Sequence, residues 1–477
     1  MIARRWWLGG IAGLALLCWG AGAWAWDAAE THAGLTEEAV SASHLHALLT
    51  HKLGRGLGLW ETLRLPATLA QVDEGRRLQG RLNALDASGG YRPDQDGGQP
   101  VLAWIVAGTV LEKTPPERAR HHFLDPRTGK GLEDSPGLSG TLHAVSLSFD
   151  EDSSARDLAT GQAFDLTGKP SPEWIRSKYN DLGLGVLLDQ YERSATMKTK
   201  TERETALVRA MLALGGILCV VEDAGHPAYA RNDFRGEFLG ARTGSALDAL
   251  VRDRMGRVAL PKSTGAVERP TLDSYLIAQD GKGLAQIAGE QFFSAGTLPA
   301  DTLFPGRSLE RITSDANATL RLPSPTVEGL RLPAPGKVEY LRKDGRRLVA
   351  YRRVGDDLHF SLTPKVLMDS ARTLLPLVLS YTTGVVNHLF RGELAIAVKA
   401  GKATVRLQGL SGIKGPGRST LLFEDDRGER SAQPGFALDA SLSAVVPIPA
   451  GTRKIAVAWR GEDAAGEVVV TSEAALP

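Results

Sequence analysis

The chain is short of cysteine. Only Cys18 and Cys219 occur among its 477 residues, and Cys18 lies in an N-terminal segment expected to be removed. The mature chain then holds one thiol, which excludes an intramolecular disulfide. Net charge is lacking too, since 56 Lys and Arg stand against 55 Asp and Glu for a formal +1. That balance excludes recruitment of nucleic acid or acidic lipid by an overall field and leaves only local patches. Aromatics are sparse at 6%, and there is little clustering of them with basic residues, which argues against a nucleic-acid groove. Beyond Ala25 no stretch offers the roughly 20 uninterrupted apolar residues of a membrane span. No long internal repeat is found.

What is present points to a folded, exported chain. An apolar content of 43% over 477 residues suits two or three domains with sizeable cores. Arg4 and Arg5, the apolar run from Trp6 to Cys18 and the small-residue site Ala23-Trp24-Ala25 read as a secretory signal. Leu16 and Leu17 before Cys18 argue against a lipoprotein cysteine. Cleavage after Ala25 leaves Trp26 as the mature N-terminus and predicts a secreted or periplasmic protein; an uncleaved anchor helix is the alternative.

Helical spacing runs over Thr36 to Leu53, Pro66 to Leu85, Val101 to Leu111, Pro172 to Ser194 and Lys200 to Glu222. Asp86 to Pro100 is turn-rich and predicts a surface loop. Residues 26–298 are therefore expected to form a helical metal-binding domain. Pro299 to Pro335 reads as an extended connection, Val338 to Val354 as a hairpin with an Asp-Gly turn, and Pro364 to Arg391 as a helix packed on the helical domain. Residues 393–477 alternate in short strands between Gly and Pro turns, which predicts an antiparallel β-sandwich. The fold class expected is thus mainly α, with a C-terminal β-sandwich.

Four features carry chemistry. Trp26 would present a free α-amine, and His32 follows closely enough for both to reach one ion. His122 sits in the irregular stretch "RHHFLDPRTGKGL". Cys219 and Asp223, at i and i+4, share one helix face. Imidazole, thiolate and carboxylate together suit Zn²⁺. Each also has a plainer reading: a surface histidine, a core thiol among Ile217, Leu218, Val220 and Val221, and a solvated carboxylate near a helix end.

The processing site before Trp26, "THAGLTEEAV", "HFLDPRTG" and "LCVVEDAGHPAYARNDF" follow in the order found in one superfamily. From Trp26 to about Val251 the chain resembles the zinc-dependent phospholipases C and single-strand-specific nucleases. The resemblance implies zinc-dependent hydrolysis of a phosphate ester, phospholipid ahead of nucleic acid, with possible peripheral membrane contact. It implies Trp26, His32, His122, Cys219 and Asp223 as metal ligands, with Asp223 bridging a pair of ions, and Glu112 as a further acidic residue of the catalytic site. The sequence departs from the family where Cys219 replaces a histidine, Lys113 an aspartate and Tyr229 a histidine; a final His and Glu pair falls on Gly244 and Asp248. Two zinc ions rather than three are therefore expected. Asp425, Asp426 and Asp463 raise a Ca²⁺ rim in the β-domain, against which solvated acidic turns are the favoured reading. The rival to an enzyme is a catalytically silent relative, binding lipid or a surface partner, with its old cluster a structural zinc site or plain core. Lys113 and Tyr229 filling the cleft would favour the rival.

Overall fold

The computed structural model describes residues 28–65, 76–77, 80–83, 98–114, 116–132, 167–233, 245–255, 265–298, 302–303, 331–355 and 357–476. Five helices organise the first part: α1 (Ala33–Ser41), α2 (Val101–Glu112), α3 (Leu184–Thr196), α4 (Lys200–Ala224) and α5 (Pro364–Leu389). Helix α4 begins at a capping box, in which Thr199 and Glu202 satisfy each other's backbone N–H groups. From Ala206 to Ala224 nearly every residue is buried. A helix apolar all round belongs in the middle of a core, and α4 has α2 and α3 packed along it, with α1 and α5 closing the far side. It is long and apolar enough to cross a membrane, yet 83% of its apolar window is buried within the protein.

Two expected helices are divided. Thr36 to Leu53 breaks at Ala42–His44 because the Ser43 hydroxyl accepts from the Leu45 N–H and starts a second helix, Leu45–His51. Pro172 to Ser194 breaks into Ser171–Arg176 and α3; between them Asn180 Oδ1 accepts from the Leu182 N–H at 2.9 Å. Side chains that hydrogen-bond their own backbone compete with the helix in this way. The loop expected over Asp86 to Pro100 ends in a strand, β2 (Gly98–Pro100), paired antiparallel with β1 (Thr62–Arg64). Of the helix expected at Pro66 to Leu85, the described residues 76–77 and 80–83 are helical.

A four-stranded antiparallel sheet follows, in the order β3-β6-β5-β4, from β3 (Thr302–Leu303), β4 (Val338–Lys343), β5 (Arg346–Val354) and β6 (Asp357–Ser361). Asp344 and Gly345 join β4 to β5 with φ of 51° and 77°, the double left-handed turn that suits strand twist. The sandwich then pairs β7 (Glu393–Lys399), β8 (Lys402–Gln408) and β11 (Ser443–Pro447) in one sheet. Its other sheet holds β9 (Lys414–Glu424), β10 (Arg430–Ala432), β12 (Lys454–Asp463) and β13 (Gly466–Ala475), in the order β10-β9-β12-β13. Inward residues such as Val405, Leu407, Val457, Trp459 and Val470 fill the space between them. The architecture is helical first and an antiparallel β-sandwich last, as the sequence pattern implies.

Candidate metal centre

The last turns of α4 carry Cys219, Glu222 and Asp223 into the interior. The turn Ala28–His32, running into α1, brings His32; the end of α2 brings Glu112 and Lys113; the 3₁₀ turns Pro116–His122 bring His122. Helix α2 reaches α4 backbone to backbone. A Cβ on Gly108 would meet the Leu212 carbonyl oxygen at 2.1 Å, and one on Gly215 the Ile105 oxygen at 1.9 Å. That close approach is what sets Lys113 beside Asp223.

Asp223 is the hub. His32 Nε2 lies 3.1 Å from Oδ1, His122 Nδ1 lies 2.6 Å from Oδ2, and Lys113 Nζ reaches Oδ1 at 3.1 Å and Oδ2 at 3.0 Å. The other His32 nitrogen, Nδ1, meets Glu222 Oε2 at 2.5 Å, and the Thr36 hydroxyl donates to Glu222 Oε1 at 2.8 Å. Cys219 Sγ stands 3.8 Å from His32 Nε2. Glu112 is held by Arg118 at 2.6 Å and by the Trp174 indole N–H at 2.7 Å, with His122 Nε2 at 3.5 Å. Leaving aside Arg118, Thr36 and Trp174, these residues are acids, imidazoles, a thiol and an ammonium, and none of them exposes more than 3%.

Burial sets the electrostatics. It pushes the Asp223 carboxyl up, but Lys113, His32 and His122 outweigh it and hold the group well below the usual carboxylate range. Burial likewise favours neutral His32, yet Cys219 and Asp223 overcome it and raise the imidazole well above 6.5. Burial raises Glu222 as well, against the pull of His32; two groups pushed up together suit one proton held between them at 2.5 Å. The Cys219 thiol is pushed up by burial. Glu112 stays low, burial being outweighed by His122 and Arg118. Lys113 stands against Asp223 and Arg118 against Glu112, so each of these buried carboxylates has a cation of the protein's own beside it.

Of the six residues named from sequence as ligands or catalytic groups, the structure brings together five, His32, Glu112, His122, Cys219 and Asp223, and sets Lys113 among them. Trp26 and Gly244 lie outside the described residues. Asp248 accepts from the Thr31 hydroxyl at 3.3 Å, and its backbone N–H donates to Ser245 Oγ at 3.1 Å. His226 caps the short helix Pro227–Ala230: its Nδ1 accepts from the Ala228 N–H, its Nε2 meets Ser245 Oγ at 2.9 Å, and burial lowers it to about 3. Tyr229 is fully buried, stacked on Phe123 with centroids 4.3 Å apart, and the Lys113 ammonium lies 5.7 Å over its ring. Glu222 and Arg118 escaped the sequence reading. Glu222 had one signal, a second acid at the end of an apolar helix. Asp463, weighed as a calcium ligand, is engaged by the Arg391 fork at 2.7 and 3.1 Å.

Among the described residues, the donor atoms of His32, Cys219 and Asp223 all lie within 4.8 Å of one another, so this triad is able to hold a metal ion. Its chemistry suits zinc. What does not suit a cation is Lys113, already on both oxygens of the same carboxylate.

No protein-family model matches the chain, and no curated protein does. Among solved structures it is similar to the alpha-toxin of Clostridium perfringens from avian strain SWCP, at 11% identity and a TM-score of 0.25, over 94% of this chain and 98% of that one. The alpha toxin of Clostridium absonum aligns at 10% identity and a TM-score of 0.26, over 94% and 95% of the two chains. Likeness this distant assigns no residue role.

Proposed function

We propose that the chain is a secreted, catalytically silent protein of the phospholipase C-like kind, which acts by binding and not by hydrolysis. The observation that carries this reading is Lys113, whose ammonium sits at 3.0 Å from Asp223 inside a core where every candidate ligand described is buried. A phosphoric ester hydrolase built on metal ions needs a coordination position open to substrate. Here Lys113 lies on both oxygens of Asp223, with the Tyr229 ring 5.7 Å from its ammonium. Room for a ligand lies elsewhere, in a cavity of about 640 Å³ between Leu45–His51, α5 and the sandwich, lined by Leu48, Lys52, Arg269, Phe390, Arg391 and Val470. Its walls set apolar residues beside ion pairs, Lys52 with Glu393 and Arg391 with Asp463, and so offer an amphiphile both apolar and polar contacts.

One observation favours the other reading, a zinc hydrolase: the spacing of His32, Cys219 and Asp223. The two are separated by assaying the purified full chain on bis(4-nitrophenyl) phosphate and on phosphatidylcholine vesicles, with zinc added and without, and by measuring bound zinc. Silence predicts zinc below one equivalent and no hydrolysis above that of Asp223→Asn. Zinc-dependent turnover lost in Asp223→Asn would sink the proposal. N-terminal sequencing of exported protein tests cleavage before Trp26.

A further inference from the structure

The three donor atoms are spaced as if around an ion. Tetrahedral zinc, with bonds of about 2.0–2.1 Å to nitrogen and oxygen and about 2.3 Å to sulfur, separates N from O by about 3.3 Å and N from S by about 3.6 Å. His32 Nε2 is 3.1 Å from Asp223 Oδ1 and 3.8 Å from Cys219 Sγ. Glu222 grips the opposite nitrogen, Nδ1, at 2.5 Å. A carboxylate behind a histidine in this way fixes the ring so that its other nitrogen faces a metal. The frame of a metal site is therefore present, including its outer support.

The charge in that frame is not a metal's. Lys113 Nζ bonds both oxygens of Asp223 and is itself buried, 5.7 Å over the Tyr229 ring. An ammonium is a compact point charge with three donors and can satisfy a carboxylate without ordered ligand geometry. A divalent ion on the same Asp223 would meet it at close range in a medium that screens charge poorly. We propose that Lys113 is the resident cation of this cluster, standing in for a metal ion on Asp223, and that His32, Cys219 and Asp223 take up one zinc ion once its charge is removed. The inference deepens the reading of the centre as closed and rests on it.

The test is a cobalt titration of the full chain, followed by the thiolate-to-cobalt absorption band, beside thermal unfolding with and without zinc. Wild type is compared with Lys113→Met, Lys113→Arg and the double variant Lys113→Met, Cys219→Ala. Lys113→Met is expected to bind one cobalt with a thiolate band and, melting below wild type, to gain Tm on adding zinc. Wild type and Lys113→Arg are expected to show neither, and the double variant to lose the band. An equal band in wild type overturns the proposal, because metal and ammonium would then coexist. So does a folded Lys113→Met that takes up no cobalt. Should that variant fold poorly, Lys113→Gln is refolded in zinc; failure of both to take up cobalt or to be recovered by zinc also overturns it. Hydrolysis by wild type would instead overturn the silent reading, which the ester assays detect independently.

Discussion

Asp223 takes hydrogen bonds from His32, His122 and Lys113 with no exposure to water. Such a carboxylate stabilises only while its partners stay. Asp223→Asn strips Lys113 of its counter-charge in the core and is expected to destabilise by about 3–5 kcal/mol, read by denaturant unfolding. Adding Lys113→Met to it should restore part of that loss, a coupling that a double-mutant cycle measures. If the double variant is as unstable as the two losses summed, the ion pair is not what holds the centre. In the Lys113→Met background, Glu222→Gln should weaken cobalt binding about 10–100-fold by releasing His32 Nδ1. By type and spacing alone the sequence marks Cys219 and Asp223 one helical turn apart, His122 in an irregular stretch and His32 close after Trp26; that they belong to one centre is what the family resemblance implies. Arg118 and Trp174 were not legible: Trp174 reaches Glu112 from 62 residues away, and Arg118, six residues on, turns back to it only through the shape of the loop that ends α2, which no apolar period encodes.

Helices α2 and α4 determine where those side chains meet. Their contact is glycine on glycine, with Gly108 and Gly215 each lying against the other helix's backbone. Intrinsic propensity alone makes Gly→Ala in a helix interior a gain of about 1 kcal/mol. Here the sign should reverse. Gly215→Ala has no room for its methyl and is expected to cost about 1–3 kcal/mol or more in thermal or denaturant unfolding; a stabilised variant would show that the two helices are not so close. Periodicity revealed α1 to α5 but ran two pairs of segments together and passed over the helix Ala246–Met255. Ser43 and Asn180 end helices through their own side-chain bonds, and a pattern of apolar residues passes through such breaks unchanged.

Across the whole molecule, polar contacts dock the sandwich on α3 and the start of α4. Arg430, held inside the sandwich by Glu473 at 2.6 Å, donates to the Ala195 carbonyl, Arg203 reaches Glu424 at 3.2 Å, and Arg418 reaches Glu192 at 2.6 Å. Burial pushes Glu473 up, but Arg430 and Lys454 outweigh it and hold the carboxyl below its ordinary 4.5. A lowered carboxyl contributes stability that is complete above its ordinary value and is lost as pH falls through the folded one. Denaturation followed from neutral pH downwards should therefore show an acid loss that is shallower in Glu473→Gln; parallel curves would remove Glu473 from the docking. From its amino acids alone the chain declares a helical part, an Asp-Gly hairpin, an antiparallel sandwich and a set of potential ligands, because period, turn chemistry and side-chain type are local properties. Whether those ligands face an ion or a lysine is not local. Lys113 and Asp223 are brought to 3.0 Å only by the packing of α2 on α4, and burial then turns an ordinary surface pair of charges into the feature that closes the centre.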